Sequence, residues 1–495
     1  MRHISWLAAV FAFALFLGSA RADDDPLKLA LALEGAIQKA IAKAEPAVAC
    51  ILVSKSEGYK RFAQFQQHPS NGQPGSLGDF QFQKALQWSH FKPGMEDLAK
   101  RLNLAAPEAV PDSYGSGVVI DSRGLVLTNY HVVKDATKIF VRLPEKPGSY
   151  ANILAADERS DLAVLRLLEP PANLTALKRP KEATFRKGQF VLALANPHAA
   201  GFRDGSPSVS WGLLSNLRRR VPGELNEIER RRPKLHYYGV LLQTDFRLNL
   251  GSGGGALVDL QGNWIGLTTS QAALAGGESA GGFAIPLDAR MNRIIDTLAR
   301  GEEVEYGFLG VALSTQATDR VLVGSVASGS PSDGQLFPGD RILRINGVPI
   351  NEPDDLFLNV STSLAGSTVD VEVWPASGQK RTVQITLAKS YWPPSGPLIA
   401  ANRPNPVRGL RVDHASLLYQ PPFGTLNYVP KGVVVREVLP DSAAARAGIR
   451  AEKDIIVKVN QTEVNSPREF YAAAADARGP IELTLADPER KVKLP

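Results

Sequence analysis

Short apolar runs separated by Gly, Pro and Asp residues recur along the chain from Val48 onward. They include GVVIDSRGLVLTNYHVV, QFVLALANP and GALVDLQGNWIGLTTS. Short β-rich segments with regular turn signals are typical of antiparallel sheets that close into barrels. The pattern predicts a mainly β domain over residues 47–304, interrupted at about 57–112 by a polar insertion that we expect to be a long loop.

Two stretches have apolar residues at helical spacing instead. Residues 26–45, PLKLALALEGAIQKAIAKAE, predict a helix within an N-terminal segment, 23–46, that packs on the barrel domain. Residues 287–300, LDARMNRIIDTLAR, predict a helix that closes the barrel region.

The C-terminal part of the chain contains two similar units with a period of about 90 residues, which suits two small domains rather than a solenoid. The first contains VGSVASGSP and FPGDRILRINGVPI, and the second contains VREVLPDSA and AGIRAEKDIIVKVNQTEV. Each predicts a strand, a small-residue loop, a short helix and a further strand. We expect domains at 305–388 and 405–495, joined by an extended Pro-rich linker at 389–404.

The N-terminus, residues 1–22, has the parts of a secretory signal peptide. Arg2 and His3 give a positive start, an apolar run follows as far as Leu17, and Ala20-Arg21-Ala22 is a small-x-small cleavage site. The apolar run is too short to span a bilayer comfortably. The segment predicts an exported protein, periplasmic or extracellular after cleavage, with an uncleaved membrane anchor as the alternative.

Charge and cysteine content narrow the classes of function. The 495 residues carry a net charge of +6, and loss of Arg2 and Arg21 with the signal peptide leaves +4. The segment 218–234 holds seven Lys/Arg and three Glu, also +4, whereas nucleic-acid binding needs a broader basic face. This segment is a solvated loop or a contact for an anionic surface, made by Arg218, Arg219, Arg220, Arg230, Arg231 and Arg232. The single cysteine, Cys50, excludes an intrachain disulfide.

Three features of the barrel region carry candidate chemistry. TNYHVV places His131 directly after an apolar strand, SDLAVL places Asp161 at the start of another, and NLGSGGGAL, residues 249–257, is a Gly-rich loop. Trypsin-type acyl transfer needs a nucleophile, a base, an acid that orients the base, and backbone N–H donors for the oxyanion. The order His, Asp, Gly-rich loop indicates such a site far more strongly than any one residue does.

Longer stretches around these residues resemble the HtrA family of exported trypsin-fold proteases with PDZ domains. They are GSGVVIDSRGLVLTNYHVV, RSDLAVLRL, LANP, LLQTDFRLNLGSGGGALVDLQGNWIGL and GGFAIP. The resemblance extends from Val48 to the C-terminus and implies a trypsin-like double β-barrel followed by two PDZ domains. It also implies that His131 is the general base, that Asp161 is its orienting acid, and that the protein is a homotrimer.

The Gly-rich loop departs from the family pattern, in which Asn-Pro-Gly-Asn-Ser-Gly-Gly-Ala-Leu follows Gln-Thr-Asp after three residues. Aligned without gaps, Gly253 occupies the nucleophile position and Ser252 the position before it. A serine displaced by one residue should miss His131, because reacting groups must lie within roughly 3–3.5 Å. Three consecutive glycines nevertheless make the loop permissive of a rearranged turn. By the resemblance, the N–H groups of Gly251 and Gly253 form the oxyanion hole.

The two C-terminal units resemble PDZ domains, which add an extended peptide to a sheet edge and hold its terminal carboxylate in backbone N–H groups. The matching carboxylate loops imply that the peptide-binding residues are Tyr306, Gly307, Phe308, Leu309, Gly310 and Val311 in the first unit and Gly409 and Leu410 in the second. The second unit has Ala451-Glu452-Lys453-Asp454 where a Pro-Gly-Asp turn is usual, so its alternative role is a spacer or an assembly surface.

These residues predict an exported HtrA-like protein that binds unfolded or C-terminal peptides and has impaired or lost proteolysis. The alternatives are an active serine endopeptidase of envelope protein quality control, using Ser252 with His131 and Asp161, and a purely structural envelope protein. The seven histidines lack the paired spacing of a metal site, and there is no phosphate-cradling Gly-Lys motif. Neither a metal nor a cofactor is therefore expected.

Overall fold

A computed structural model shows the fold of the protein. It describes residues 26–56, 103–106, 109, 111–181, 183–220, 232–269, 281–315, 320–375, 378–393, 395–419, 428–476, 479–486 and 490–495. The predicted signal peptide lies outside these residues, as do 57–102 of the predicted insertion and, in the basic segment, Arg230 and Arg231.

Six antiparallel strands form the first barrel. They are β1 (Val48–Ser54), β2 (Ser113–Asp121), β3 (Leu125–Asn129), β4 (Lys138–Leu143), β5 (Lys146–Asp157) and β6 (Leu162–Leu167). The strands pair in the order β5-β4-β1-β2-β3-β6, and β5 closes the barrel by pairing with β6. Every residue of β1 is buried, because Ile51 and Val53 face the main core while Cys50 and Leu52 face a smaller apolar cluster. Burial raises the pKa of the Cys50 thiol to about 12.

Six further strands form the second barrel. They are β7 (Phe190–Ala195), β8 (Ser208–Arg219), β9 (Leu241–Thr244), β10 (Ala256–Asp259), β11 (Trp264–Thr269) and β12 (Phe283–Pro286). They close in the order β10-β11-β12-β9-β8-β7. The buried ring of Trp264 keeps its polar atom paired, because Nε1 donates to the Gly266 carbonyl at 2.7 Å. The predicted mainly β fold with a double barrel is confirmed.

The predicted N-terminal helix is α1 (Pro26–Ala44). Its C-terminal half packs on the second barrel: Ala40 and Ala44 are buried, and Lys43 Nζ donates to the Gln261 carbonyl at 3.0 Å. Its first two turns expose Leu27 and Leu29, so the predicted packing is confined to the second half of the helix. None of the helices that the structure describes is long and apolar enough to cross a membrane.

Two further helices belong to the barrel region, α2 (Tyr130–Val133) and α3 (Ala289–Ala299). The side chain of Asp288 caps α3 by accepting the Met291 N–H at 2.9 Å. Helix α3 buries Met291, Ile294, Ile295 and Leu298. These positions form one apolar face at helical spacing. Single 3₁₀ turns lie at Glu45–Ala47, Pro197–Ala199, Leu235–Tyr238 and Ala415–Leu418.

The first C-terminal unit, hereafter the first repeat, is built around a small antiparallel sheet. Its elements are β13 (Gly307–Phe308), β14 (Val311–Leu313), β15 (Val323–Val326), β16 (Arg341–Ile345), β17 (Val348–Pro349), α4 (Pro353–Thr362), β18 (Thr368–Trp374), β19 (Arg381–Thr386) and β20 (Ala388–Lys389). Strand β18 buries Val369, Val371 and Val373 and exposes or half-exposes the residues between them, the alternation of a sheet with one buried face.

The described part of the predicted Pro-rich linker is docked against the first barrel. Within it, β21 (Ile399–Ala400) pairs with β5, with Ile399 opposite Ala156. The Ala401 N–H then donates to the Leu154 carbonyl at 2.9 Å. The linker therefore supplies hydrogen-bond partners to backbone groups of β5. A linker that did not contact the barrel would leave those groups unpaired at the edge of the strand.

The second C-terminal unit, the second repeat, has its own core. Its elements are β22 (Leu410–His414), β23 (Val433–Val438), α5 (Ala443–Arg446), β24 (Ile455–Val459), β25 (Thr462–Glu463), α6 (Pro467–Ala475), β26 (Ile481–Leu485) and β27 (Arg490–Leu494). The sheet order is β22-β23-β24-β26-β27, with β25 paired to β24. Phe470 is the largest fully buried side chain of this core.

A buried lysine joins the two repeats. Lys389, at the end of β20, places its ammonium 2.8 Å from Asp413, 2.9 Å from Glu303 and 3.0 Å from Glu305. Burial alone would lower the pKa of Lys389, but the charges of Asp413, Glu305 and Glu303 raise it above its ordinary value. Arg436 also pairs with Asp413. The cations that balance these three carboxylates are thus side chains of the protein itself, Lys389 and Arg436.

We expect Lys389→Met to lower the free energy of unfolding by about 3–5 kcal/mol, because the change leaves the buried Asp413 carboxylate short of its partner. The transition of the second repeat, followed in chemical denaturation, measures the effect. Lys380→Met, at an exposed lysine, is the control and should stay within about 0.5 kcal/mol of the parent. Adding Asp413→Leu to Lys389→Met should recover much of the loss. Equal stability of Lys389→Met and Lys380→Met would contradict a stabilising role for the buried Lys389 ammonium.

Candidate functional site

His131 and Asp161 lie side by side because neighbouring strands carry them. His131 is the second residue of α2, directly after β3, and Asp161 directly precedes β6, which pairs with β3. His131 Nδ1 is 2.8 Å from Asp161 Oδ2, and the His131 backbone N–H donates to Oδ1 at 2.9 Å. The carboxylate therefore sets both the position and the orientation of the imidazole, as a base–acid pair requires.

Asp161 is a completely buried carboxylate on a backbone with φ of 58°, in the left-handed region. Its carbonyl accepts the Tyr130 N–H at 3.0 Å and the Asn129 side-chain amide at 3.1 Å. Burial alone would raise the pKa of Asp161, but the charge of His131 and the hydrogen bond to it hold the pKa below its ordinary value. The pair is thus held by both main-chain and side-chain contacts.

A second histidine, His236, lies behind the pair. Its ring is 1% exposed, and its Nε2 is 3.9 Å from Asp161 Oδ2. Neither ring nitrogen has a hydrogen-bond partner among the described residues. Burial lowers the pKa of His236 to about 4, although the Asp161 carboxylate opposes that shift. Sequence reasoning missed this residue, because the stretch KLHYYG carries no motif and only the fold brings it to Asp161.

The Gly-rich loop is pinned through three consecutive carbonyls. Ser116 Oγ donates to the Gly251 carbonyl at 2.9 Å, Thr268 Oγ1 to that of Ser252 at 2.5 Å, and the Ser116 N–H to that of Gly253 at 2.8 Å. The three glycines in a row therefore do not leave this backbone loose. Ser252 is 3% exposed.

The N–H groups of the loop divide into two sets. Those of Ser252, Gly254 and Gly255 donate to carbonyls of the protein, at 3.0, 2.8 and 3.3 Å. Those of Gly251 and Gly253, the predicted oxyanion donors, donate to no residue in the described part of the chain. The two predicted oxyanion donors are thus not used in the hydrogen bonds that hold the loop.

The first repeat contains a groove between β14 and α4. Its cavity is about 730 Å³ and is lined by Val311, Ala312, Leu313, Phe357 and, among polar groups, Arg320. This is the arrangement in which a PDZ domain adds a peptide strand beside a helix.

The predicted carboxylate loop of the first repeat leads into this groove. Gly310 has φ of 92°, and a Cβ there would collide with Ser330, so the loop requires glycine. Leu309 is buried, and its carbonyl accepts from Ser332 Oγ at 2.7 Å. The ring of Phe308 lies 5.6 Å from that of Tyr419 in the second repeat.

Tyr306, also predicted to bind peptide, has its side chain elsewhere. It is 4% exposed, and its hydroxyl donates at 2.5 Å to Asp157 of the first barrel. The guanidinium of Arg159 lies 4.4 Å from the Tyr306 ring centroid. Tyr306 is therefore a contact between the first repeat and the segment that leads to Asp161.

The second repeat reproduces the glycine geometry of the first. Gly409 has φ of 92°, and a Cβ there would collide with Ser442, as at Gly310 and Ser330. The next residue, Leu410, is fully buried and begins β22. On the same strand, the Val412 N–H donates to the Tyr471 hydroxyl of α6 at 3.4 Å, so one backbone donor of this strand is used within the repeat.

The described part of the basic segment contacts acidic residues of the chain itself. Arg218 pairs with Glu352 and Asp355 at 2.8 Å, and Arg220 pairs with Asp354 at 2.5 Å, all at the start of α4. Arg232 pairs with Glu158 at 2.7 Å. Three of the predicted anion-contacting arginines are thus engaged within the chain. Arg219 is exposed, and its predicted contact stays a prediction, as do those of Arg230 and Arg231.

Three family models match the chain. A model of the trypsin-like peptidase domain matches residues 115–267, and models of the PDZ domain match residues 307–387 and 409–485. The first spans His131, Asp161 and the Gly-rich loop, and the others span the two repeats.

Relatives match over most of the chain. A probable periplasmic DegP-like serine endoprotease of Pseudomonas fluorescens is 30% identical over 455 residues, which cover 88% of this chain and 87% of the relative. The periplasmic pH-dependent serine endoprotease DegQ of Escherichia coli is 30% identical over 387 residues, 76% of this chain and 78% of the relative. A solved structure of the HtrA-type protease AlgW with a tripeptide is 24% identical, covers 73% of this chain and 99% of its own, and has a TM-score of 0.48. The chain belongs to the HtrA family of trypsin-like serine proteases with two PDZ domains.

Proposed function

We propose that the protein is an exported, periplasmic HtrA-like protein that binds unfolded or C-terminal peptides and whose proteolysis is impaired or lost. The proposal is carried by the ungapped alignment of the Gly-rich loop, which puts Gly253 at the position of the family's nucleophilic serine. The predicted signal peptide supports export, as do relatives that are named periplasmic.

The downstream flank of the loop supports this register. In the family pattern two glycines and an alanine follow the nucleophile, and here Gly254, Gly255 and Ala256 follow Gly253. Gly254 has φ of 87°, and a Cβ there would collide with the Ser116 carbonyl. Ala256 begins β10, opposite Leu194 and Leu267. A shift by one residue would require a bulge at the start of this paired strand.

The upstream flank supports the same register. Gly251 has φ of 91°, and a Cβ at this position would lie 2.7 Å from the Asn196 carbonyl and 2.8 Å from the Tyr114 ring. If the loop slipped to place Ser252 at the nucleophile position, Leu250 would have to take over this left-handed conformation. A leucine there would be strained in its backbone and would clash with both neighbours.

The remaining parts of the cleft support peptide binding without cleavage. In the proposed site the N–H groups of Gly251 and Gly253, which have no acceptor among the described residues, receive a peptide carbonyl oxygen, and the groove between β14 and α4 of the first PDZ domain receives an extended peptide. Loss of the nucleophile alone costs on the order of a millionfold in turnover in serine proteases. No contact elsewhere in the cleft offsets a loss of that size.

The second candidate is an active endopeptidase that uses Ser252 with His131 and Asp161. The specific observation in its favour is the ordered His131–Asp161 pair, with its 2.8 Å contact and fully buried carboxylate. A structural envelope protein is less well supported, because three of the six arginines that were to provide its contact pair with Glu352, Asp354 and Glu158. A homotrimer stays a prediction of the resemblance.

His236 should make the free energy of unfolding depend on pH below neutrality. The charged or titratable groups around it are Asp161, Lys234 and His131. A histidine whose pKa is lower in the folded than in the unfolded state binds fewer protons when folded, so stability rises with pH through that interval. For His236 the interval extends from about 4 in the folded protein to about 6.5 in the unfolded chain. Burial lowers the pKa of His414 as well, which acts in the same direction.

The mature protein should cleave casein no faster than background, and Ser252→Ala should change nothing. The double change Gly253→Ser with Ser252→Asn rebuilds the family loop and should create measurable cleavage, because the backbone of Gly253 has no positive φ that serine would resist. His131→Ala should abolish the new activity, since the members of a triad act as a unit. Strong cleavage by the unmodified protein that is lost in Ser252→Ala would overturn the proposal in favour of the second candidate.

The first PDZ domain should bind peptides with an apolar last residue through their terminal carboxylate. Fluorescence anisotropy should show affinity at least about tenfold lower for amidated peptides, a difference of about 1.4 kcal/mol. Gly310→Ala should weaken binding, because its Cβ collides with Ser330, whereas Gly409→Ala is the matched change in the second PDZ domain and should not. Equal affinity for free and amidated peptides would rule out carboxylate recognition.

The free energy of unfolding should fall more steeply between pH 7 and pH 4 in the parent protein than in His236→Phe. The expected excess loss is about 3 kcal/mol, from a pKa lowered to about 4 by burial. Denaturant titrations at several pH values measure it. Between pH 7 and 8, where His236 is neutral in both folded and unfolded states, the two curves should run parallel. Parallel curves down to pH 4 would contradict a buried neutral His236.

A further inference from the structure

The linker between the PDZ domains contacts both segments that carry the His131–Asp161 pair. We call residues 391–393 and 395–402 the strap. Ser395 Oγ donates to the Glu158 carboxylate, and Ser395 lies beside Tyr130, since both line the same cavity. Tyr130 directly precedes His131, and Glu158 lies three residues before Asp161. One strap residue thus bridges the two segments from outside the barrel.

Arg232 adds the segment that carries His236. Its guanidinium lies 2.7 Å from Glu158, its Nε donates to the Pro393 carbonyl at 2.5 Å, and it lies 4.8 Å from the ring centroid of Trp392. Trp392 Nε1 in turn donates to the Pro233 carbonyl at 3.2 Å. The segments bearing His131, Asp161 and His236 therefore all meet the strap.

The strap is held at both ends. At its C-terminal end, the Ala401 N–H donates to the Leu154 carbonyl at 2.9 Å and the Asn402 N–H to that of Gly301 at 2.8 Å. At its N-terminal end lies Lys389, whose buried ammonium is bound by Asp413 of the second PDZ domain. A segment fixed at both ends can transmit restraint to the groups it touches, which a free tether cannot.

We propose that the strap is a positioning element for the His131–Asp161 pair, with Arg232 and Ser395 as positioning residues. The Tyr130 N–H donates to the Asp161 carbonyl at 3.0 Å, so the two segments already meet there. The Ser395 and Arg232 contacts add a second connection and oppose separation of the segments. Neither residue belongs to the His131–Asp161 pair or to the Gly-rich loop. The inference holds whether or not a nucleophile is present.

The test observes the pair directly and needs no cleavage. In the full mature protein with ¹⁵N-labelled histidine, NMR detects the low-field proton on His131 Nδ1 that is shared with Asp161, and its exchange with water. Arg232→Met should broaden this resonance and raise its exchange rate by about fivefold or more, because the pair opens more often. Arg490→Met is the matched control: it breaks a 2.8 Å arginine–aspartate pair, with Asp454, inside the second PDZ domain and away from the strap. It should leave the resonance unchanged.

Ser395→Ala is the second variant and removes an exposed hydroxyl with little effect on folding. It should move the exchange rate in the same direction as Arg232→Met, with the far-ultraviolet circular dichroism of the parent. If Arg232→Met fails to fold, Ser395→Ala alone decides. An unchanged resonance and exchange rate in folded Ser395→Ala and Arg232→Met would overturn the proposal, as would an equal effect of Arg490→Met.

Discussion

The buried carboxylate of Asp161 is the constraint on which the surrounding structure depends. An ionised carboxylate without solvent is tolerated only when it is paired and hydrogen-bonded. His131 supplies two donors, one from its ring and one from its backbone. The left-handed backbone at Asp161 is held in turn by Asn129 and Tyr130. The junction of β3, α2 and β6 is therefore arranged around one charge, and nearby segments pack to keep water from it.

Buried polar groups also fix how the first PDZ domain sits on the first barrel. Asp157 accepts from the Tyr306 hydroxyl and from Ser160, and burial raises the pKa of Asp157 despite those bonds. Arg159 lies over the Tyr306 ring and has two nitrogen atoms without partners among the described residues. Such groups contribute little net stability but tolerate few geometries. They favour one arrangement of the domains, in which the groove of the first PDZ domain and the catalytic cleft have a fixed relation.

Sequence patterns predicted much of the fold because they report local and repeated features. The buried run of β1, the helical spacing of α1 and α3, and the matching turns of the two repeats are all visible along the chain. The pairing of His131 with Asp161 could be predicted because the family resemblance identifies these two residues as partners. The docked linker, the environment of Lys389 and the approach of His236 to Asp161 were not. Each depends on contacts between residues distant in sequence, such as Lys389 with Glu303 or Ile399 with Ala156, which have no periodic signature.

In the proposed register, the cleft separates two properties that a protease normally combines. The Gly-rich loop is held by hydrogen bonds to the carbonyls of Gly251, Ser252 and Gly253. Neighbouring atoms pack closely against other glycines of the loop, where a side chain would collide with them. None of these contacts requires a hydroxyl at position 253. In the proposed register, replacing the nucleophilic serine with glycine removes the reacting oxygen and leaves every contact that shapes the loop. Binding of a peptide carbonyl needs only the backbone N–H groups, and cleavage needs a nucleophilic oxygen as well. Loss of catalysis in this fold therefore does not entail loss of the peptide-binding surface, because the two rest on different atoms of the same loop.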